Sequence, residues 1–178
     1  MMTSPSIQEL RVYVLGETAD EIRISTAEEN ANAAVSLAQQ ARRHLNIFSQ
    51  DLDARIYDSA EFESCVFALA RRHPSTRIRI LTIDSGNAVH KGHCLIRLAQ
   101  TLTSSVFIHN PSREHSNETS AFLVADGVGL LYRSRGTHNH YEASVNFMSP
   151  RRAARLDEFF NDAWEWSKPD PQVRRLYI

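Results

Sequence analysis

The chain has 178 residues, 42% of them hydrophobic and 23% charged, which supports one hydrophobic core and excludes an intrinsically disordered chain. Lys plus Arg number 20 against 21 Asp plus Glu, so no whole-chain field marks a nucleic-acid or anionic-membrane partner, and such a contact would need a local patch. No run approaches the roughly 18 consecutive apolar residues of a membrane-spanning helix, and no basic, apolar, small-residue leader opens the chain; the expected compartment is the cytoplasm.

Residues 1–8 are polar and expected to fray, and residues 11–15 (RVYVL) have the β-branched content of a strand or extended segment closed by Gly16. Ser25 with Glu28 and Thr26 with Glu29 form two overlapping capping boxes. They precede an alanine-rich helix in which Ala34, Leu37, Ala38, Ala41 and Leu45 recur at helical spacing. Residues 44–49 (HLNIFS) read as a strand. After Gln50-Asp51, residues 52–57 lead toward a helix capped by Asp58 or Ser59, with Phe62, Val66, Leu69 and Ala70 on one face and Pro74 as its stop. Residues 77–83 (RIRILTI) suit a strand entering a sheet core, residues 84–87 a turn, and residues 89–102 a third helix built on Cys94, Leu95, Leu98 and Leu102. A short strand at 105–108 and a polar loop at 109–116 follow, then a hairpin of 121–125 and 128–132 around Asp126-Gly127. Residues 136–140 are a loop and 143–147 an extended piece. Ser149-Pro150 places a cap before a proline at the first helical position, and the last helix runs to about Trp166 with Leu156, Phe159, Phe160, Ala163 and Trp164 on its buried side. Alternating strands and helices, then a hairpin and a closing helix, predict an α/β fold: a mixed β-sheet flanked by helices on both faces. A single domain spans 1–178, with 1–45 an N-terminal extension or first strand and helix and 167–178 a C-terminal tail.

From residue 46 to about 166 this order resembles one half of a phospholipase D-like domain. That superfamily carries His-x-Lys-x4-Asp on a strand, followed by a hairpin partner, a Gly-Ser-x-Asn element and a closing helix. Here Asp126 ends an apolar strand with glycine after it, and counting back puts the histidine position at Thr119 and the lysine position at Ala121. Gly136-Thr137-His138-Asn139 resembles the second element with threonine for serine, and Glu142 follows shortly after. No His-x-Lys pair occurs anywhere in the chain. The resemblance implies a chemistry in which an imidazole attacks phosphorus, a second histidine from the other half protonates the leaving group, and lysines hold the phosphoryl oxygens. Threonine cannot form and release a phosphoramidate, and alanine brings no charge; losing one charge-stabilising donor alone costs about 3 kcal/mol of barrier. The chain is therefore expected to be a degenerate half domain without phosphodiesterase activity. It is also similar to the phospholipase D-like regions found beside bacterial acetyltransferase domains, which implies at most a regulatory role. Because such halves work in twos, the resemblance further implies a homodimer, with residues 119–125 and the degenerate loops near the two-fold axis.

Three functional readings follow. The first is a protein-binding or scaffold module. The second is retained binding of nucleic acid or another phosphate-bearing ligand through Arg133, Arg135, Thr137 and Asn139, and the third a divergent hydrolase with His115 or His138 as base. Basic groupings at Arg42-Arg43, Arg71-Arg72, Arg133 with Arg135, Arg151-Arg152 and Arg174-Arg175 mostly lie near helix or chain ends, where arginine answers the helix dipole. His90 with His93 and His138 with His140 lack the carboxylate or Cys-x2-Cys frame of a zinc site, so no metal and no other cofactor is expected. Ser85-Gly86-Asn87 reads as a plain turn, and Cys65 and Cys94 as buried thiols. Trp166 and residues 174–178 must cover a sheet edge or dock on a partner.

Overall fold

The computed structural model describes residues 7–174. A short helix α1 (Ile7–Leu10) leads into turns rather than a strand at residues 11–15. Val12 and Val14 there are 72% and 40% exposed, and the segment is pinned by Leu15 N–H to Gln40 Oε1 and Gly16 N–H to Phe147 O. The strand of this region is instead β1 (Glu21–Ile24), an edge strand antiparallel to β7 (Ala143–Asn146). α2 (Ala27–Gln40) starts at the Thr26/Glu29 capping box; the expected Ser25/Glu28 box is not seen among the described residues, because the Glu29 carboxylate takes the Ser25 N–H as well.

β2 (His44–Ser49), α4 (Ala60–Ala70) capped by Ser59, and β3 (Arg77–Thr82) follow as expected, while the segment expected only to lead into α4 forms a short helix of its own, α3 (Ala54–Tyr57), capped by Asp53. The expected helix over 89–102 is two helices, α5 (Gly86–His90) and α6 (Cys94–Thr101), and the turn at 84–87 runs into the first of them. Gly92 breaks the run at φ +67°, a left-handed conformation that L side chains rarely adopt. α6 restarts with His93 Nδ1 accepting from Leu95 N–H and Asp58 accepting from Cys94 N–H. β4 (Val106–Asn110), a 3-10 turn at His115–Asn117, β5 (Ala121–Ala125), β6 (Gly129–Arg133), α7 (Pro150–Glu165) and β8 (Lys168–Pro169) are the remaining elements of the described residues.

The described strands form one mixed sheet in the order β1-β7-β6-β5-β2-β3-β4-β8, parallel through β2-β3-β4 and antiparallel elsewhere. Alternation along the strands divides the core in two. Leu45, Ile47, Ile78, Ile80, Ile108 and Leu123 face the layer of α2, α3, α4 and α6, while Phe48, Leu81, Phe122, Val124 and Leu130 pack with Ala153, Phe160 and Ala163 of α7. The mixed sheet flanked by helices on both faces is the architecture expected from the sequence. α7 lies mainly across β2, β5 and β6; through Trp164 its last turn also meets His109 of β4 and Arg79 of β3. No helix among the described residues is long and apolar enough to cross a membrane.

Candidate functional site

The outer ends of β2, β5 and β6 bring most of the sequence candidates together, because the parallel strands of an open α/β sheet leave their carboxyl ends to the loops. Gln50, just past β2, donates through Nε2 to the carbonyls of Glu118 and Ser120, which fixes the approach to β5. Thr119, at the histidine position, is exposed, and its carbonyl accepts from Gly136 N–H at 2.7 Å. Ala121, at the lysine position, is 2% exposed and lies directly beneath Gly136. A Cβ on Gly136 would stand 2.7 Å from Ala121 Cβ and 2.8 Å from Gln50 Cγ, so only glycine permits this approach. The Ala121 side chain is covered by Gly136.

Asp126 sits at the opposite end of β5, about 16 Å from Ala121 at the rise of an extended strand. Its carboxylate accepts from the backbone N–H groups of Arg42, Arg43 and His44, so it ties the entrance of β2 and takes no part in the cleft.

In the loop of residues 134–142, Ser134, Arg135, Thr137, His138 and Asn139 are exposed. Arg133 differs: its guanidinium is buried, donates to the carbonyls of Thr137 and His140, and lies 4.9 Å from the centre of the Tyr141 ring. It shapes the loop instead of facing a ligand, leaving Arg135 as the exposed arginine of the pair. Asn30 of α2 anchors the same loop by donating to Tyr141 O. Glu142 does not join the cleft; it lines a separate groove with Arg23, Tyr132 and Arg152 toward the β1 edge. His115 is held by Ser112 and by Asp162 of α7 and packs edge-on to Phe159.

Two carboxylates missed in the sequence complete the cleft. His138 Nε2 is 2.6 Å from Asp51 Oδ2 and its Nδ1 is 3.9 Å from Asp53 Oδ2, while Asp53 also accepts from Tyr141 O–H and caps α3. Burial pushes the Asp51 carboxyl above its usual range; His138 pulls it back and Asp53 adds to the rise. Burial also raises the phenols of Tyr57 and Tyr141, the latter helped by its bond to Asp53. Leu52 and Asn139 beside these groups hold positive φ, 56° and 70°. The signal for the acids was the polar run Gln50-Asp51-Leu52-Asp53 directly after a buried strand. His138 and Asp51 bring an imidazole and a carboxylate into contact, whereas Ala121 is buried and brings no charge.

Asp58, His93 and Cys94 form a second cluster within metal-ligand reach. Its chemistry does not suit a metal: the Cys94 thiol donates to Tyr57 O and is pushed up to about 12, first by burial, while Asp58 and His93 cap α6. His90 is exposed and His93 buried, so that pair shares no face. Both cysteines are free, as read from the sequence.

Three solved structures define the class of fold. Nuc from Salmonella typhimurium, a phospholipase D family member, matches with a TM-score of 0.60 and 13% identity, over 85% of this chain and 99% of that one. NucT from Helicobacter pylori matches at 0.62 and 11% identity, again over 85% and 99%. TrmBL2, an archaeal chromatin protein whose structure shows a novel mode of DNA binding, matches at 0.61 and 14% identity over 84% of this chain; the match spans about half, 54%, of TrmBL2. At these identities the likeness is one of fold: the chain has a phospholipase D-like fold. Residues 26–176 match the family described as domain of unknown function DUF7931, and the chain belongs to that family. No curated protein matches it in sequence.

Proposed function

We propose that the chain is a degenerate, non-catalytic phospholipase D-like half domain that works by binding, as a protein-binding or scaffold module with a regulatory role, and not by cleaving phosphodiesters. The observation that carries this reading is the closure of the Ala121 position under Gly136, next to a threonine where the nucleophilic imidazole belongs. Phosphoryl transfer needs charge placed at the reacting oxygens, and a buried methyl group supplies none. Asp51 and Asp53 make the neighbouring cleft less hospitable to a phosphate, so a phosphate-bearing ligand there would depend on Arg135, Thr137 and Asn139 against two carboxylates. TrmBL2, a chromatin protein of similar fold whose structure shows a novel mode of DNA binding, bears instead on the second reading, a nucleic-acid ligand. A homodimer meeting through the loop ends belongs to the same proposal.

The test incubates the purified chain with bis(p-nitrophenyl) phosphate, with single-stranded and duplex oligonucleotides and with phosphatidylcholine vesicles. No turnover above a mock preparation is expected. Turnover that disappears in His138→Ala or Asp51→Asn overturns the reading.

A further inference from the structure

The part of the α7 face over β3 and β4 is built differently from the rest of that face. Alternating with the core residues Ile78, Ile80, Val106 and Ile108, these strands present Arg77, Arg79, Phe107 and His109. The loops that enter β2 and β3 raise two rims, and with the end of α7 they enclose a groove of about 1220 Å³. That exceeds the roughly 300–1,000 Å³ of a small-molecule pocket and suits a longer ligand.

Four arginines, Arg42, Arg43, Arg77 and Arg79, line the groove, and among the described residues none of them forms an ion pair; Arg79 donates to Asn46 and Asn161 and feels the Asp157 carboxylate, one Arg77 nitrogen donates to the carbonyls of Pro74 and Thr76, and Arg42 and Arg43 are exposed on the rim. The one carboxylate on the lining, Asp157, accepts from Asn46 Nδ2 at 2.8 Å. In a chain of net charge −1 this is a local basic field that composition conceals. The Asp126 carboxylate fixes the backbone of this rim by accepting from the N–H groups of residues 42–44, and the Arg42 and Arg43 side chains are exposed there.

The aromatic groups of the groove are of two kinds. Trp164 stacks on His109 with centroids 4.0 Å apart and planes 14° apart, and the Arg79 guanidinium lies 5.4 Å from its centroid, so this wall is committed. Phe107 is half-buried on the floor and enters no ring stack among the described residues. A basic groove with an unstacked aromatic ring is what a single strand of nucleic acid uses, its phosphates on the cations and a base on the ring. A duplex keeps its base faces covered, and an acidic peptide brings charge without a flat partner for Phe107.

We propose that this groove binds single-stranded nucleic acid, with the phosphate backbone along Arg42, Arg43 and Arg77 and a base on Phe107. The groove lies at the entrance of β2 and β3, the opposite end from Asp51 and His138, so the proposal stands whether or not that cleft is catalytic.

The test is fluorescence anisotropy of a labelled single-stranded oligothymidylate titrated with the full chain over a range of salt. Saturable binding that weakens with salt is expected. The double variant Arg42→Ala/Arg43→Ala should weaken it about tenfold or more and lower the salt slope by about 1.4, two single-strand phosphate contacts. Phe107→Leu keeps the apolar bulk but removes the ring; it should weaken binding about fivefold or more at unchanged salt slope. Arg113→Ala/Arg151→Ala, two exposed arginines outside the groove, should bind like the parent. Because Arg42 and Arg43 are exposed, their variant is expected to melt at the parent temperature, which keeps the test readable even where Phe107→Leu loses stability. Absence of binding at low salt overturns the proposal, as does equal binding by the groove and control variants. Displacement by polyglutamate as effective as by unlabelled oligothymidylate, with no effect of Phe107→Leu, overturns it in favour of an acidic protein partner.

Discussion

Asp126 accepts three backbone N–H groups, from Arg42 and Arg43 at 2.8 Å and from His44 at 3.0 Å, while its own φ is 51°. It therefore joins the hairpin turn to the start of β2. Asp126→Ala leaves three donors to find water and is expected to cost about 2–4 kcal/mol by urea denaturation, with Asp126→Asn losing less because one oxygen remains. Gly136 is the other residue whose identity is fixed by contact. Gly136→Ala would press a methyl group into Ala121 and Gln50 and is expected to cost about 1–3 kcal/mol. A chain that accepted it at no cost would show that the lysine position is open. At Asp51 the raised pKa means that ionisation is harder in the fold than in the unfolded chain, so the folded state binds the proton more tightly and loses relative stability as pH rises through the folded pKa. Asp51→Asn is thus expected to melt at the parent temperature or above it at neutral pH, despite the lost contact with His138.

At the scale of elements, the N-terminus of α6 carries a pH dependence of the opposite sign. Burial lowers the His93 pKa; Asp58, 3.9 Å away, and Asp53 oppose the shift, and Arg97 adds to it. Above about pH 6.5 the imidazole is neutral in both states. Below it the unfolded chain takes up a proton that the folded chain refuses, so stability falls with pH until the folded pKa is reached. His93→Asn keeps an acceptor for Leu95 N–H but has no proton to gain, and its melting temperature should fall less than the parent's between about pH 7 and 5. The same elements show where sequence patterns suffice. β2, β3, β5 and α4 were legible because each pairs a buried periodic run with a clear cap or turn, such as Ser59 before Phe62 or Asp126-Gly127 between apolar pentads. β1 was missed because its EIRI sequence is an edge strand with one fully buried residue, Ile24, and RVYVL attracted the assignment although its valines are exposed. The single helix over 89–102 failed at Gly92, whose left-handed φ is invisible to hydrophobic spacing. The cleft was half legible: its loop and β5 residues follow from the resemblance, whereas Asp53 and Tyr141 meet across 88 positions of sequence, which no local pattern reports. The basic groove was hidden for the same reason, its arginines being divided between Arg42-Arg43 and β3.

For the whole molecule the open question is whether one copy suffices. The match to Nuc and NucT covers 85% of this chain and 99% of each of those chains. The sheet restricts how two copies can meet. β5 lies between β2 and β6 with all five residues buried, so the two-fold contact proposed here would use the end at Thr119 and the loop of residues 134–142. That loop presents Ser134, Arg135, Thr137, His138 and Asn139, a polar surface facing outward beside Asp51. A stable contact needs about 800 Å² from each partner, and a polar one is held by hydrogen bonds and charge, so it should be concentration- and salt-dependent. Light scattering at micromolar concentration is expected to give a mass near twice 20.2 kDa that falls toward 20.2 kDa on dilution or in high salt. Arg135→Glu should lower it at constant salt, because each copy would bring a new negative charge to a contact that already contains Asp51. A mass of 20.2 kDa that does not change with concentration would rule the dimer out, and the loop would then be a free surface for a different protein partner.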